Sequence, residues 1–145
     1  MSLERAILFK YLRSEELEEL QDDIGIVEVK KGEIIFNEND EGSHMFIIDT
    51  GEVEILKNIG DDKVVVLAVL DEGQYFGEMA IIDQSKRSAT ARAVKDSTLR
   101  TLSSHVLFDP QKSSPLIANK ILRALLEVFA FRLRENNVIV SSLVR

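Results

Sequence analysis

The sequence predicts a mainly β domain flanked by helices, with a barrel or sandwich of short strands between a short helical segment and a long C-terminal helix. Three observations predict it. Between Ile24 and about Leu102, short apolar runs alternate with turn residues, and glycines fall at 32, 42, 51, 60 and 73. That spacing suits an all-β sandwich or barrel. Before this stretch, Ile7, Leu8, Leu12, Leu17 and Leu20 recur with helical spacing. From Leu116 onward a helical pattern runs without Gly or Pro to the end of the sequence.

With 145 residues, 45% hydrophobic and 30% charged, the chain is expected to be one globular domain, 1–145. It divides into an N-terminal helical segment at 1–23, a β-barrel at 24–103 and a C-terminal helix at 114–145. In the first, Ser14 is placed to cap a helix to about Gln21, and Glu15, Glu16, Glu18 and Glu19 read as a solvated face favoured by the N-terminal dipole. Candidate strands are Ile26–Val29, Ile34–Phe36, His44–Asp49, Gly51–Lys57, Lys63–Leu70, Ser88–Ala93 and Ser97–Ser103, with Asn58 to Asp62 as a hairpin turn.

Ser114 and Pro115 open the last helix as cap and first-turn proline. It carries two stripes. Leu122, Leu126, Phe129, Leu133, Asn136, Val140 and Leu143 step by alternating four and three, the seam of a coiled coil. Ile117, Ile121, Leu125 and Val128 lie on another face, suited to packing on the barrel. No segment is left for a DNA-binding helix-turn-helix, a kinase or a channel.

Composition excludes several function classes. A net charge of −7 disfavours direct nucleic-acid or anionic-membrane partners. Without cysteine there is no disulfide, thiolate zinc site or cysteine-held cluster, which fits a reducing compartment. The longest apolar run, Val64 to Leu70, is too short to cross a bilayer, and the N-terminus lacks the apolar core of a secretion signal. A cytoplasmic location is expected. The two histidines stand far apart with no HxH pair, His44 in a strand-like run and His105 in the turn after the barrel; this argues against a metal-dependent enzyme on a cupin-like jelly roll, and no cofactor is expected.

The segment richest in chemistry runs from Gly73 through Tyr75, Phe76, Gly77, Glu78, Met79 and Ala80 to Arg87, Ser88 and Ala89. A helical turn over Gly77–Ile82 would leave unpaired N–H groups facing an anion, with Gly77 permitting close backbone approach. Arg87 adds a forked, permanently charged donor to the same phosphate. Glu78 would be repelled by a phosphate, so its partner must be a donor such as a ribose hydroxyl. Small residues at Ser88, Ala89, Ala91 and Ala93 leave room for a ligand. The plainer alternatives are a surface ion pair of Arg87 with Asp83 or Glu78, a merely structural Ser88, and solvated charges at Lys86 and Arg92.

At these residues the sequence closely resembles the phosphate-binding cassette of the cyclic-nucleotide-binding domain family, the family of catabolite activator protein and protein kinase A regulatory subunits. The resemblance extends to Lys31–Phe36 and to Met45–Ile48 before Gly51-Glu52-Val53. It implies a double-stranded β-helix, or jelly-roll, barrel of eight strands with the cassette at 76–93 and a C-terminal lid and dimer helix. Gly77, Glu78, Met79 and Ala80 would line ribose and phosphate, Glu78 taking the 2′-hydroxyl. Arg87 would hold the phosphate with Ser88 and Ala89 beside it, and Leu67 would be an apolar wall. On the lid helix, Arg132 would lie near Glu78, with Asn136 and Asn137 near the base. Asn136 also falls on the heptad seam, where an asparagine fixes register, and both roles stay open.

The function expected is therefore a non-catalytic regulatory module that binds cyclic nucleotide, cAMP rather than cGMP, and signals through its C-terminal helix. Its expected partners are a second copy of the chain and an effector in trans. The alternative is an interaction protein of the same fold that binds another ligand, such as cyclic di-GMP, or none.

Overall fold

The computed structural model describes residues 6–109, 111 and 114–144, with side chains up to residue 136. Eight antiparallel strands form two four-stranded sheets: β1 (Gly25–Val29), β8 (Ser97–Ser103), β3 (His44–Thr50) and β6 (Tyr75–Phe76) in one; β2 (Ile34–Phe36), β7 (Thr90–Ala93), β4 (Val53–Gly60) and β5 (Lys63–Leu70) in the other. The mainly β sandwich with a long C-terminal helix is the expected fold class. Among the described residues, a 3-10 turn at Ile7–Phe9 and four α-helices accompany it: α1 (Ser14–Gln21), α2 (Glu78–Ile82), α3 (Ser104–Phe108) and α4 (Pro115–Val144).

Strand β3 shows why its apolar run is nearly continuous. Side chains alternate across a strand, and here both faces are covered. Met45 and Ile47 join the helices in one core with Leu8, Phe9, Leu102, Ile121 and Leu125, whereas Ile48 and Phe46 face the sandwich interior with Val53, Phe76, Ala91 and Leu99. Ala91 and Ala93 are 0% and 1% exposed in that interior. They are small because the sheets close over them, which corrects the expectation that they leave room for a ligand.

The β4–β5 hairpin turns tightly at Asp61 and Asp62, both with positive φ (50° and 58°), as a two-residue hairpin loop requires. Glu54 of β4 stands opposite Arg92 of β7, and Arg92 Nε donates to Glu54 Oε1 at 2.7 Å. Arg92 is thus a cross-strand ion pair, not the solvated charge expected.

The N-terminal half of α4 is fastened to the core and to the N-terminal segment. Ile117, Ile121 and Leu125 are buried, and Val128 packs beside them. Ser114 Oγ accepts from Ile117 N–H at 3.5 Å, as a capping serine does. Glu16 of α1 accepts from Lys120 at 2.6 Å, while Glu127 binds Lys10 at 2.7 Å and accepts from the Tyr11 hydroxyl. Among the described side chains, the predicted seam is bare at Leu126 and Leu133, which are 66% and 64% exposed. Leu122 and Phe129 pack partly on the core, so the two stripes overlap at its edge. Val140 and Leu143 have side chains outside the described residues.

Several placements differ from expectation: β4 spans Val53–Gly60 rather than Gly51–Lys57, and β7 begins at Thr90 rather than Ser88. α1 begins at Ser14 with Arg13 before it, because Glu16 Oε1 accepts from Arg13 N–H at 2.9 Å and caps the helix from inside. His105, expected in a turn, sits in the short helix α3, exposed to solvent with its Nδ1 3.9 Å from Asp109 Oδ2.

Candidate functional site

The cassette is built where α2 meets the arm leading into β7. Gly77 precedes α2 in the left-handed conformation (φ 80°), which costs glycine little and other residues more. A Cβ there would stand 2.7 Å from Arg87 Nη1. Glycine is needed for both reasons, so that the chain can turn into α2 beneath the guanidinium.

Arg87 is 6% exposed. Its backbone is pinned by the loop after β2, with Arg87 N–H donating to the Asp40 carbonyl and Asn39 N–H to the Arg87 carbonyl, both at 2.8 Å. Its side chain donates from Nη1 to the Gly77 carbonyl at 2.8 Å and from Nη2 to the His44 carbonyl at 2.7 Å. Nε is buried and unpartnered among the described residues, and a Cβ at Gly42 would collide with it. No carboxylate of the described residues forms an ion pair with Arg87, so the expected alternative of a surface pair does not hold. Burial pulls the guanidinium below its ordinary value, opposed by Asp40 and Glu78 acting through space.

Glu78 opens α2 and is buried, with Oε1 3.6 Å from Arg132 Nη1 of α4. Beside it, the buried Tyr75 hydroxyl has no hydrogen-bond partner among the described residues. Burial, reinforced by Glu78 and opposed by Arg132, pushes its ionisation up to about 12. Lys57 of β4 donates to the Ser88 carbonyl at 2.8 Å and to Glu38 Oε2 at 3.0 Å, holding the start of the cassette arm against the sheet.

Phe36, Gly77, Glu78, Met79, Ala80, Arg87, Ser88 and Ala89 together line a cleft of about 110 Å³. This is smaller than the roughly 300–1,000 Å³ that encloses a whole small ligand, so it fits the anionic end of a ligand and leaves the rest to groups outside. A groove of about 590 Å³ on the other side of α2 is lined by Glu41, Gln84, His105 and Asp109 among others. Its charged groups are acidic apart from the imidazole, which suits a phosphate poorly.

Of the expected site residues, the structure brings together Gly77, Glu78, Met79, Ala80, Arg87, Ser88 and Ala89, with Arg132 in contact with Glu78. Phe76 is 3% exposed in the interior core and does not line the cleft. Leu67 is 58% exposed on β5 and stands outside the lining. Asn136 is exposed on α4, and the Asn137 side chain lies outside the described residues. Sequence reasoning missed Phe36, Gly42 and the His44 carbonyl as neighbours of Arg87. Among the described residues, no cluster of His, Asp and Glu is arranged to hold a metal, and no helix is long and apolar enough to cross a membrane.

The arrangement offers a buried, forked cation, a carboxylate nearby and a helix whose Arg132 reaches that carboxylate. Residues 26–109, more than half of the chain, match the cyclic nucleotide-binding domain. The chain belongs to that family. As a cyclic nucleotide-binding domain it is 35% identical over 105 residues to the cyclic AMP receptor protein of Thermus thermophilus, covering 72% of this chain and 47% of that protein. It is 34% identical over 98 residues to the cAMP-dependent protein kinase regulatory subunit of Mycosarcoma maydis, covering 66% of this chain and 18% of that one. The fold is similar to that of the Thermus thermophilus catabolite activator protein, with a TM-score of 0.82, 26% identity, and coverage of 95% of this chain and 63% of that chain. This domain therefore spans less than half the length of both curated relatives.

Proposed function

We propose that the domain is a non-catalytic sensor of cyclic nucleotide, with cAMP preferred to cGMP, whose occupancy repositions α4. The observation that carries this reading is Arg87: a buried cation at the wall of a cleft, held by backbone carbonyls and without a carboxylate of the described residues in contact. An anion entering the cleft supplies the missing counter-charge.

In this reading Arg87 holds the cyclic phosphate, aided by main-chain N–H groups at the start of α2 and by Ser88 and Ala89. Glu78 takes the ribose 2′-hydroxyl. The base extends out of the small cleft toward Leu67 on β5 and toward Arg132, Asn136 and Asn137 on α4. Two copies pair through the α4 seam, which buries Leu126 and Leu133, and the signal passes to an effector in trans. The preference for cAMP rests on the names of the relatives, a cyclic AMP receptor and a cAMP-dependent kinase subunit. Neither nucleic acid nor membrane is a direct partner, and the protein works in the cytoplasm.

Calorimetric titration with cAMP and cGMP, each followed by chromatography of the nucleotide, tests this. Saturable binding of intact ligand, tighter for cAMP, is expected; no binding of either, or turnover of the ligand, overturns the reading.

A further inference from the structure

Among the described residues, Arg87 lacks what most buried cations have, a carboxylate in contact, although removing a lone ion from water is costly. It has an aromatic face instead. The guanidinium carbon stands 4.1 Å from the centroid of the Phe36 ring and 5.8 Å from that of Phe46, within the range of a cation–π contact. Phe36 is in turn held by the two rings behind it. Its centroid is 5.8 Å from that of Phe46 and 5.9 Å from that of Phe76, and Phe46 and Phe76 stack at 5.2 Å.

The chemistry of such a platform differs from that of a counter-ion. A ring face attracts the cation through its quadrupole and accepts none of the N–H groups that point outward in the guanidinium plane. A carboxylate in the same place would occupy those donors and repel an incoming anion. Phe36 also lines the cleft, so the platform lies at the site itself. Its strand, β2, pairs with β7 with a register shift between Ile34 and Phe36, and such an irregularity re-aims side chains.

We propose that Phe36 is a positioning residue of the ligand site, an aromatic platform that sets the plane of the Arg87 guanidinium while leaving its remaining N–H donors for an anion. This rests on the reading of Arg87 as the phosphate-holding group. The function of the interior aromatic cluster is then to brace the platform. Aliphatic residues of equal bulk would fill the same space without holding the cation.

Two measurements test it. In titrations with cAMP, Phe36→Leu binds about five- to thirtyfold more weakly than the wild type, Phe36→Met behaves likewise, and Phe36→Tyr, which keeps the ring face, restores the affinity. In urea unfolding without ligand, the cycle of Phe36→Leu, Arg87→Met and the double variant shows a coupling of about threefold or more in the unfolding equilibrium. A wild type that binds no cyclic nucleotide overturns the underlying reading of Arg87, and this proposal with it. A wild type that binds, beside Leu and Met variants of equal affinity or a cycle without coupling, overturns the platform alone.

Discussion

Arg132 on α4 reaches back to Glu78 on α2, with Nη1 3.6 Å from Oε1, so that the long helix and the cassette are joined by one ion pair. The arginine side chain is 56% exposed and the glutamate 9%. A pair with so exposed a cation contributes only about 0–1 kcal/mol and can give way to a better partner. In the proposed function the ribose 2′-hydroxyl takes that place, donating to the carboxylate that Arg132 now neutralises. Glu78→Ala is therefore expected to weaken cAMP while affecting 2′-deoxy-cAMP far less, the difference being roughly 1.5–3 kcal/mol for a hydrogen bond to a charged group. Parallel titrations of both ligands check this; equal losses would place Glu78 in service of Arg132 only.

Gly77 is expected to tolerate no side chain. In Gly77→Ala, a left-handed alanine and a Cβ 2.7 Å from Arg87 Nη1 act together. A stability loss of about 1–2 kcal/mol should accompany weaker cAMP binding, read from urea unfolding and from titration of the folded variant. Unchanged affinity would mean that Arg87 does not need its present place.

Much of this site was legible because its residues are neighbours in the chain. Gly77, Glu78 and Ala80 lie within one turn, and Arg87 follows ten residues after Gly77. The groups that set the state of Arg87 were not legible. Phe36, Gly42 and His44 belong to β2, the next loop and β3, and reach Arg87 only through the strand order β2-β7-β4-β5 facing β1-β8-β3-β6. The fold class followed from turn spacing, whereas β6, two residues long, and α3, five residues long, are too short to show a period. Leu67 is a different case: its place in the motif was recognisable, and it lies exposed on the edge strand β5, outside the enclosed part of the cleft.

Acid should loosen the anchoring of α4. Glu16 accepts from Lys120 at 2.6 Å and from Arg13 N–H at 2.9 Å, and these bonds, Lys120 first, hold its carboxyl below the ordinary value of 4.5. A depressed folded-state value means that the stabilisation is complete above the unfolded value and fades as pH falls through the folded one. Thermal unfolding followed from pH 7 down to about pH 3 should show the wild type losing stability faster than Glu16→Gln below about pH 4.5. Parallel curves would remove Glu16 from the acid response.

The exposed seam predicts assembly. Leu126 and Leu133 are 66% and 64% exposed, one heptad apart on a helix whose other face is already packed. Pairing with a second α4 would bury them. Sedimentation at high micromolar concentration should give a dimer for the wild type and a monomer for the Leu126→Glu, Leu133→Glu variant, in which four like charges would face each other. A wild-type monomer with and without cAMP, or a dimer that survives both substitutions, contradicts the pairing.

In the proposed function Arg87 is kept buried for the phosphate of a cyclic nucleotide. This is tested most directly by titrating cAMP into Arg87→Leu beside the wild type, with unfolding curves to establish that the variant is folded. Removing one partner of a buried charge pair costs about 3–5 kcal/mol, so a folded variant whose affinity is lower by a hundredfold or more is expected. A folded Arg87→Leu protein that binds cAMP as the wild type does would contradict it.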